Sequence, residues 1–384
     1  MKRVAILGST GSIGTSALDV LRQLGPDFEV MGLAARSHWE RLAGQVAAFH
    51  PRHAVLSSDT HFRHLAQRVG TNCVELRCGP NAVADLAASD DVDLVLNAIV
   101  GAQGLGPALA AVRAGKTLAL ANKEAMVMAG ELIGHLARES AATIVPVDSE
   151  HSAVFQAMQS GRASEIRRIW ITASGGPFRT LPSEQLEQVT PEQALQHPNW
   201  TMGPKVTIDS ATMMNKALEI VEAKWLFGLQ TEQIRVLIHP QSIVHSMVEF
   251  CDGATIAQLG LPDMRVPIQY ALTYPERRTS PVAAADLAAL GRLDFEDPDP
   301  ERFPALELGF RAAEAGGAMG AVLNAANEAA VAAFIDRRIP FTDIPRLVAH
   351  VMDRHHPFTT PSAEDIHDAD GWARQEADRW IARS

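Results

Sequence analysis

Apolar residues fall in two rhythms along this chain. Up to about Val147, short β-branched or leucine-rich runs over residues 4–7, 29–33, 54–56, 94–99, 117–121 and 143–147 alternate with segments of helical period such as 12–23 and 103–114. Short strands separated by roughly 10–15 residues of helix are the mark of βαβ units and a parallel sheet. The run LVLNAIV is apolar almost throughout, as a strand covered on both faces must be. Beyond Glu150 the strands, over 168–172, 235–238, 243–250 and 254–259, crowd together around one strong helix from Ser210 to Phe227. From Tyr274 to Pro304 prolines and acids punctuate the chain, and from Ala305 to Ser384 it is alanine-rich with a helical period. The pattern predicts an α/β fold: an N-terminal Rossmann-like parallel sheet (1–147), a central α+β catalytic domain with a mixed or mostly antiparallel sheet (148–274), a linker (275–304) and a C-terminal helical bundle (305–384).

Composition narrows the function. Lys plus Arg is 34 and Asp plus Glu is 45 in 384 residues, a net charge of −11, which argues against a nucleic-acid footprint or a polybasic membrane surface. With 47% hydrophobic and 21% charged residues the chain has enough apolar surface for large cores. Cys73, Cys78 and Cys251 make an odd count without a CxxC pair, so neither a disulfide framework nor a zinc knuckle is expected. The apolar run after the first basic residues is too short for a signal peptide, and no stretch is long enough to span a membrane. A cytoplasmic protein is expected.

Two patterns carry chemistry. Gly8-Ser-Thr-Gly11-Ser-Ile-Gly14 follows the first strand and opens the first helix. Glycines there let the backbone approach a pyrophosphate, and the free N–H groups of the helix start bind it. The spacing is GxxGxxG rather than GxGxxG, so the competing reading is a tight strand–helix turn that binds nothing. The second strand runs out at Ala34-Ala35-Arg36-Ser37. Arg36 and Ser37 stand where an NAD site carries an acid for the ribose hydroxyl, and their charge and polarity favour the 2′-phosphate of NADP.

The second pattern is rich in oxygen donors. Asp148-Ser149-Glu150 closes a strand, and Asp209, Asn215, Lys216 and Glu219 fall within about 120° of arc on a continuous helix at about 100° per residue. Such an arc is ordinarily a solvated helix face, but an amide, a lysine and a carboxylate beside Ser210 are an unusual mixture for one. Three carboxylates without CxxC or HExxH make a hard donor set, suited to Mg²⁺ or Mn²⁺, with Co²⁺ a third candidate. Ser174-Gly-Gly after the strand 168–172 offers a hydroxyl and open N–H groups for an anion. With Ser210, Asn215 and Lys216 it reads as a phosphomonoester pocket.

At this point the motifs resemble a family. GSTGSIG, LANKE (120–124), VDSEH (147–151), SGGPF (174–178), HPNWTMG (197–203), DSATMMNKALE (209–219), HPQSIVHSMV (239–248), PDMR (262–265) and NAANEAAVAAF (324–334) occur in the order found in 1-deoxy-D-xylulose 5-phosphate reductoisomerases. The resemblance covers essentially the whole chain. It implies an NADPH- and metal-dependent enzyme that rearranges and reduces a phosphorylated sugar for isoprenoid precursor synthesis by the non-mevalonate route, and a homodimer.

The resemblance also implies roles. Asp148, Glu150 and Glu219 would hold the metal, with Ser149 at the substrate's chelating oxygens and Glu150 and Glu219 beside them. Ser174, Ser210, Asn215 and Lys216 would bind the phosphate, and Lys123 would lie between substrate and cofactor. His197 to Gly203 would form a lid, with His197 at the phosphate end and Trp200 closing over the substrate. Thr10, Gly11, Ser12, Ile13, Arg36, Ser37, Asn122, Glu124, Gly203 and Met264 would contact NADPH, Pro262 would pack near the nicotinamide, and His151 and His239 would support the site. Pro204 and the AARS stretch depart from the basic residue and the Gly-Lys pair common in relatives. An ordinary NADP-dependent dehydrogenase and a non-catalytic NADPH-binding protein are the competing readings; the second predicts loss of an acid or of Lys216, and all are present.

Overall fold

The apolar runs of the first 147 residues become one parallel sheet in a computed structural model of the chain, which describes residues 1–70, 74–197, 200, 202–356 and 361–383. Its strands are β1 (Lys2–Leu7), β2 (Phe28–Ala35), β3 (His53–Leu56), β4 (Glu75–Cys78), β5 (Leu94–Asn97), β6 (Thr117–Leu120) and β7 (Thr143–Pro146), in the order β4-β3-β2-β1-β5-β6-β7. Every neighbouring pair is parallel. Val4 to Leu7 and Leu94 to Leu96 are fully buried, as central strands covered on both sides require. The strand order reverses direction at β1, between β2 and β5, which makes the carboxyl end of β1 the topological switch point where such sheets bind ligands. β4 was not expected: Glu-Leu-Arg-Cys at a sheet edge carries no apolar run and is only partly buried.

A second, four-stranded sheet forms from β8 (Ile166–Ala173), β9 (Ile234–Ile238), β10 (Val244–Phe250) and β11 (Thr255–Leu259), in the order β11-β10-β8-β9. β8 and β9 are parallel and the other pairs antiparallel, the mixed sheet that the spacing suggested. Helix Met214–Phe227 packs on helix Ala305–Ala315, where Gly309 lies so close that a Cβ would meet the Ala217 backbone at 2.6 Å. Helices Met319–Ile335, Asp343–Arg354 and Ala363–Ile381 complete the C-terminal bundle, and one apolar core runs from the β8–β11 sheet through these helices.

Two compact units result. Unit 1 comprises Met1–Asn122, Ile133–Ser152 and Asp263–Ala283; unit 2 comprises Lys123–Leu132, Ala153–Pro262 and Ala284–Ser384.

The helix expected from Ser210 to Phe227 is two helices. Pro204–Ala211 ends before Thr212, and Met214–Phe227 starts after Met213, whose φ of +61° places it in the left-handed region. The Thr212 hydroxyl donates back to the Ile208 carbonyl at 3.1 Å and accepts the Met214 N–H at 3.3 Å, so one side chain closes one helix and opens the next. Asp209 therefore does not share a face with Asn215 and Glu219. Nor is Met214–Phe227 one-sided: Lys216, Glu219 and Glu222 are as buried as Leu218 and Val221. Among the described residues no helix is long and apolar enough to cross a membrane. Cys78 and Cys251 are exposed free thiols, and Cys73 lies outside the described residues.

Candidate active site

In unit 1 the glycine loop sits at the carboxyl end of β1. The Gly8 and Ser9 N–H groups both donate to the Ala34 carbonyl at 2.9 Å, which ties the loop to the end of β2, two residues before Arg36. A Cβ on Gly14 would lie 2.4 Å from the Gly8 carbonyl oxygen and 2.5 Å from Ser9 Cα, so only glycine lets helix Ser12–Leu24 start this close to the loop. Gly11 is the residue before that helix, no side chain caps it, and a Cβ there would touch nothing closer than 3.4 Å. Ser12 and Ile13 follow in the first turn, where N–H groups have no partner within the helix. Thr10 is buried, while Gly11, Ser12, Arg36 and Ser37 are exposed. This is an anion cradle of dinucleotide type.

Asn122 is buried after β6, and its amide donates to the carbonyls of Ile99 at 2.6 Å and Gly101 at 3.0 Å. Asn97 holds the same loop by donating to the Gly104 carbonyl at 2.9 Å. Two asparagines thus shape the turn after β5, beside the switch point. Half-buried Asp148 follows β7 and precedes helix Ser149–Ala157, where its carbonyl accepts the Ser152 N–H at 2.8 Å. Glu150 is also half-buried, and the Ser149 hydroxyl donates to it at 2.5 Å. Met264 directly precedes helix Arg265–Thr273.

In unit 2 two polar groups assemble. The first is centred on Glu219, whose side chain is fully buried. Its Oε1 accepts from Lys123 Nζ at 3.1 Å and from Asn215 Nδ2 at 2.5 Å, and its Oε2 accepts from Lys216 Nζ at 2.5 Å. Lys123 Nζ also donates to Asn215 Oδ1 at 2.9 Å. Burying a lone carboxylate is costly, and here two ammonium groups and an amide offset it. Lys216 and Glu219 lie one turn apart on one helix; Lys123 comes from the start of helix Lys123–Ser140.

The second group surrounds His197. Trp200 N–H donates to His197 Nδ1 at 3.0 Å, which leaves the proton on Nε2; that nitrogen lies 3.2 Å from Ser174 Oγ and 3.1 Å from Ser210 Oγ. Both hydroxyls thus lie within hydrogen-bond reach of the one imidazole nitrogen, whose single proton they share, and a hydroxyl proton can turn towards an anion. Gly175 and Gly176 have φ of +83° and +67°, and a Cβ on Gly176 would lie 2.7 Å from the Ser210 carbonyl oxygen. The SGG turn can therefore rest on the end of helix Pro204–Ala211 only because it lacks side chains. Trp200 lies 6.4 Å from the His245 ring, and Gly203 caps helix Pro204–Ala211. Pro198, Asn199 and Thr201 of the expected lid lie outside the described residues. His239 spends both ring nitrogens on backbone, at the Asp294 carbonyl (2.8 Å) and the Ile243 N–H (3.1 Å), and so fixes a turn.

Sequence reasoning missed a buried ionic cluster behind these groups. Lys205 Nζ bonds Glu124 Oε1 at 3.0 Å and Asp209 Oδ2 at 2.8 Å, and Asn327 Nδ2 donates to Asp209 Oδ1 at 2.9 Å. Burial works against ionisation of Glu124, but Lys205, a backbone hydrogen bond and Lys123 together outweigh it and hold this carboxyl below its ordinary value. For Asp209 burial wins and the carboxyl is held above its ordinary value. Lys205 is raised: burial opposes its charge, yet Asp209 and Glu124 more than compensate. The basic residue absent at Pro204 is thus not replaced by Lys205, which is committed inward. The Lys205–Asp209 spacing of four residues was the available signal; the Glu124 contact, 81 positions away in sequence, had none.

Three family models match the chain: "1-deoxy-D-xylulose 5-phosphate reductoisomerase" over residues 4–130, its C-terminal domain over 144–227, and "DXP reductoisomerase C-terminal domain" over 259–376. The chain is 52% identical over 381 residues to the 1-deoxy-D-xylulose 5-phosphate reductoisomerase of Chlorobium chlorochromatii, covering 99% of this chain and 100% of that one. It is 51% identical to the enzyme of the same name from Pelotomaculum thermopropionicum, with 97% of each covered. Among solved structures it resembles the Zymomonas mobilis reductoisomerase in complex with NADPH, at 44% identity, a TM-score of 0.93 and 99% of both chains. A DOX-P reductoisomerase in complex with NADPH, fosmidomycin and magnesium gives 40% identity and a TM-score of 0.93, over 100% of this chain and 98% of that one.

Proposed function

The chain belongs to the 1-deoxy-D-xylulose 5-phosphate reductoisomerase family, and from that membership we propose that it converts 1-deoxy-D-xylulose 5-phosphate and NADPH into 2-C-methyl-D-erythritol 4-phosphate and NADP⁺ with a divalent metal, supplying isoprenoid precursors. The observation that carries the reading is the grouping of Ser174 and Ser210 on His197, in the same unit as the lysine-balanced Glu219. Two hydroxyl protons beside an imidazole suit a phosphate monoester. A carboxylate held among ammonium groups suits chemistry in which charge on oxygen builds and moves.

Asp148, Glu150 and Glu219 would hold the metal. Their fit lies in the donor chemistry: three carboxylates and no thiolate, with Glu219 oriented by three donors, a set suited to Mg²⁺ or Mn²⁺ and acceptable to Co²⁺. When bound, the ion supplies Lewis acidity at the substrate oxygens that gather charge. NADPH supplies the hydride, and the uncapped helix start at Gly11, Ser12 and Ile13 suits its pyrophosphate.

The chain's own groups do the rest. Ser174, His197, Ser210, Asn215 and Lys216 grip the phosphate and so orient the carbon skeleton. Ser149 holds the oxygens next to the reacting carbons, and Lys123 stands between substrate and nicotinamide. Trp200 closes over the pocket and excludes water while hydride moves. Asn122, Glu124, Gly203 and Met264 line the cofactor side, with Arg36 and Ser37 at its 2′-phosphate. The working form is a cytoplasmic homodimer acting on a phosphorylated small molecule, independent of nucleic acid and membrane.

The test is metal withdrawal. Chelator-stripped protein given 1-deoxy-D-xylulose 5-phosphate and NADPH should leave NADPH absorbance constant until Mg²⁺ or Mn²⁺ is restored. Equal oxidation without metal would overturn the reading.

A further inference from the structure

Helix Trp39–Phe49 is separated from the end of β2 by three residues and places Arg41 and Gln45 one turn apart on one face. Both side chains grip the glycine loop, at consecutive residues. Buried Gln45 donates from Nε2 to the Ser9 carbonyl at 2.8 Å and accepts from the Ser9 hydroxyl at 2.7 Å. Arg41 Nη1 donates to the Thr10 carbonyl at 2.7 Å. The roles differ in chemistry. Gln45 is a neutral clamp that donates one hydrogen bond to Ser9 and accepts one from it. Arg41 is exposed and spends one of its five N–H donors on the loop. Among the described residues neither Arg41 nor Arg36 has an ion pair. Two unbalanced guanidinium groups thus flank one loop: Arg36 two residues beyond Ala34, which accepts the Gly8 and Ser9 N–H groups, and Arg41 on the carbonyl of Thr10.

We propose that Arg41 is a specificity-determining residue of the dinucleotide site, reading the 2′-phosphate of NADPH together with Arg36. A dianionic phosphate monoester accepts paired N–H donors from a planar guanidinium, and the Thr10 carbonyl holds that plane in place before the cofactor arrives. The inference rests on the NADPH reading above.

The experiment measures dissociation constants for NADPH and NADH by fluorescence titration of the intact protein. Arg41→Ala is expected to weaken NADPH at least tenfold and to leave NADH within twofold of wild type. Arg36→Ala should act in the same direction, and Arg41→Lys should recover part of the loss. Gln45→Ala serves as the loop-positioning control and should weaken both dinucleotides alike. If Arg41→Ala also weakened both alike, Arg41 would be a loop clamp and the proposal would be wrong. It would be wrong too if NADPH affinity did not change. Wild-type protein with no preference between the two dinucleotides would overturn the NADPH reading itself.

Discussion

Lys205→Met removes a charge while keeping most of the stem's volume. It leaves two acids, Asp209 and Glu124, with side-chain exposures of 1% and 5%, without their shared cation. Breaking a buried ion pair by deleting one partner costs about 3–5 kcal/mol. The Asn327 amide, still 2.9 Å from Asp209, moderates the loss, whereas a second stranded carboxylate adds to it, so about 4 kcal/mol is expected. The pH dependence has a definite sign. In the wild type Glu124 is held below its ordinary value, so its contribution is present above the ordinary carboxylate range and is lost as pH falls through it. Asp209, held above its ordinary value, opposes folding at neutral pH and is relieved as pH falls. Without Lys205 burial is opposed only by the Asn327 amide at Asp209 and by a backbone hydrogen bond and the Lys123 charge at Glu124, so both carboxyls move up. The folded variant then binds protons more tightly than the unfolded chain, so the gap between variant and wild type narrows from pH 8 towards pH 5. Urea unfolding at both pH values measures this, and Lys205→Met/Asp209→Asn should recover part of the loss. A gap under about 1 kcal/mol, the range of exposed pairs, or one independent of pH, would refute the reasoning.

Three further outcomes are expected. Glu219→Gln should abolish most activity and its response to added metal, with the NADPH dissociation constant within twofold of wild type; unchanged metal dependence would remove Glu219 from the metal set. Gly14→Ala puts a Cβ 2.4 Å from a backbone oxygen, an overpacking of about 1–3 kcal/mol; thermal unfolding and NADPH titration should both deteriorate. His197→Gln removes the nitrogen shared by Ser174 and Ser210, so KM for the phosphorylated substrate should rise at least tenfold, more than kcat falls, in steady-state kinetics.

The parallel sheet was readable because a strand buried on both faces carries an unbroken apolar run, and Val4 to Leu7 of β1 and Leu94 to Leu96 of β5 are such runs. β4 escaped because an edge strand need not be apolar. The break at Met213 was hidden for another reason. A left-handed methionine is locally unfavourable, so no propensity or wheel points to it, and packing together with the Thr212 hydroxyl imposes it. Of the site, the glycine motif and the DSATMMNK run could be read because their chemistry is contiguous in sequence. The Lys205 cluster was only half readable: Asp209 lies four residues along the same helix, but Glu124 comes from a separate helix 81 positions away in sequence. Residues 123–132 likewise join the unit of the second sheet, a grouping that chain order does not reveal.

The central claim is that this chain rearranges a carbon skeleton as well as reducing a carbonyl, and product identity tests it most directly. Purified protein with NADPH, Mg²⁺ and ¹³C-labelled 1-deoxy-D-xylulose 5-phosphate should consume NADPH and substrate one to one. The NMR spectrum should be that of the branched 2-C-methyl-D-erythritol 4-phosphate. NADPH oxidation that yields an unbranched polyol phosphate would contradict the account, as would tight NADPH binding without turnover.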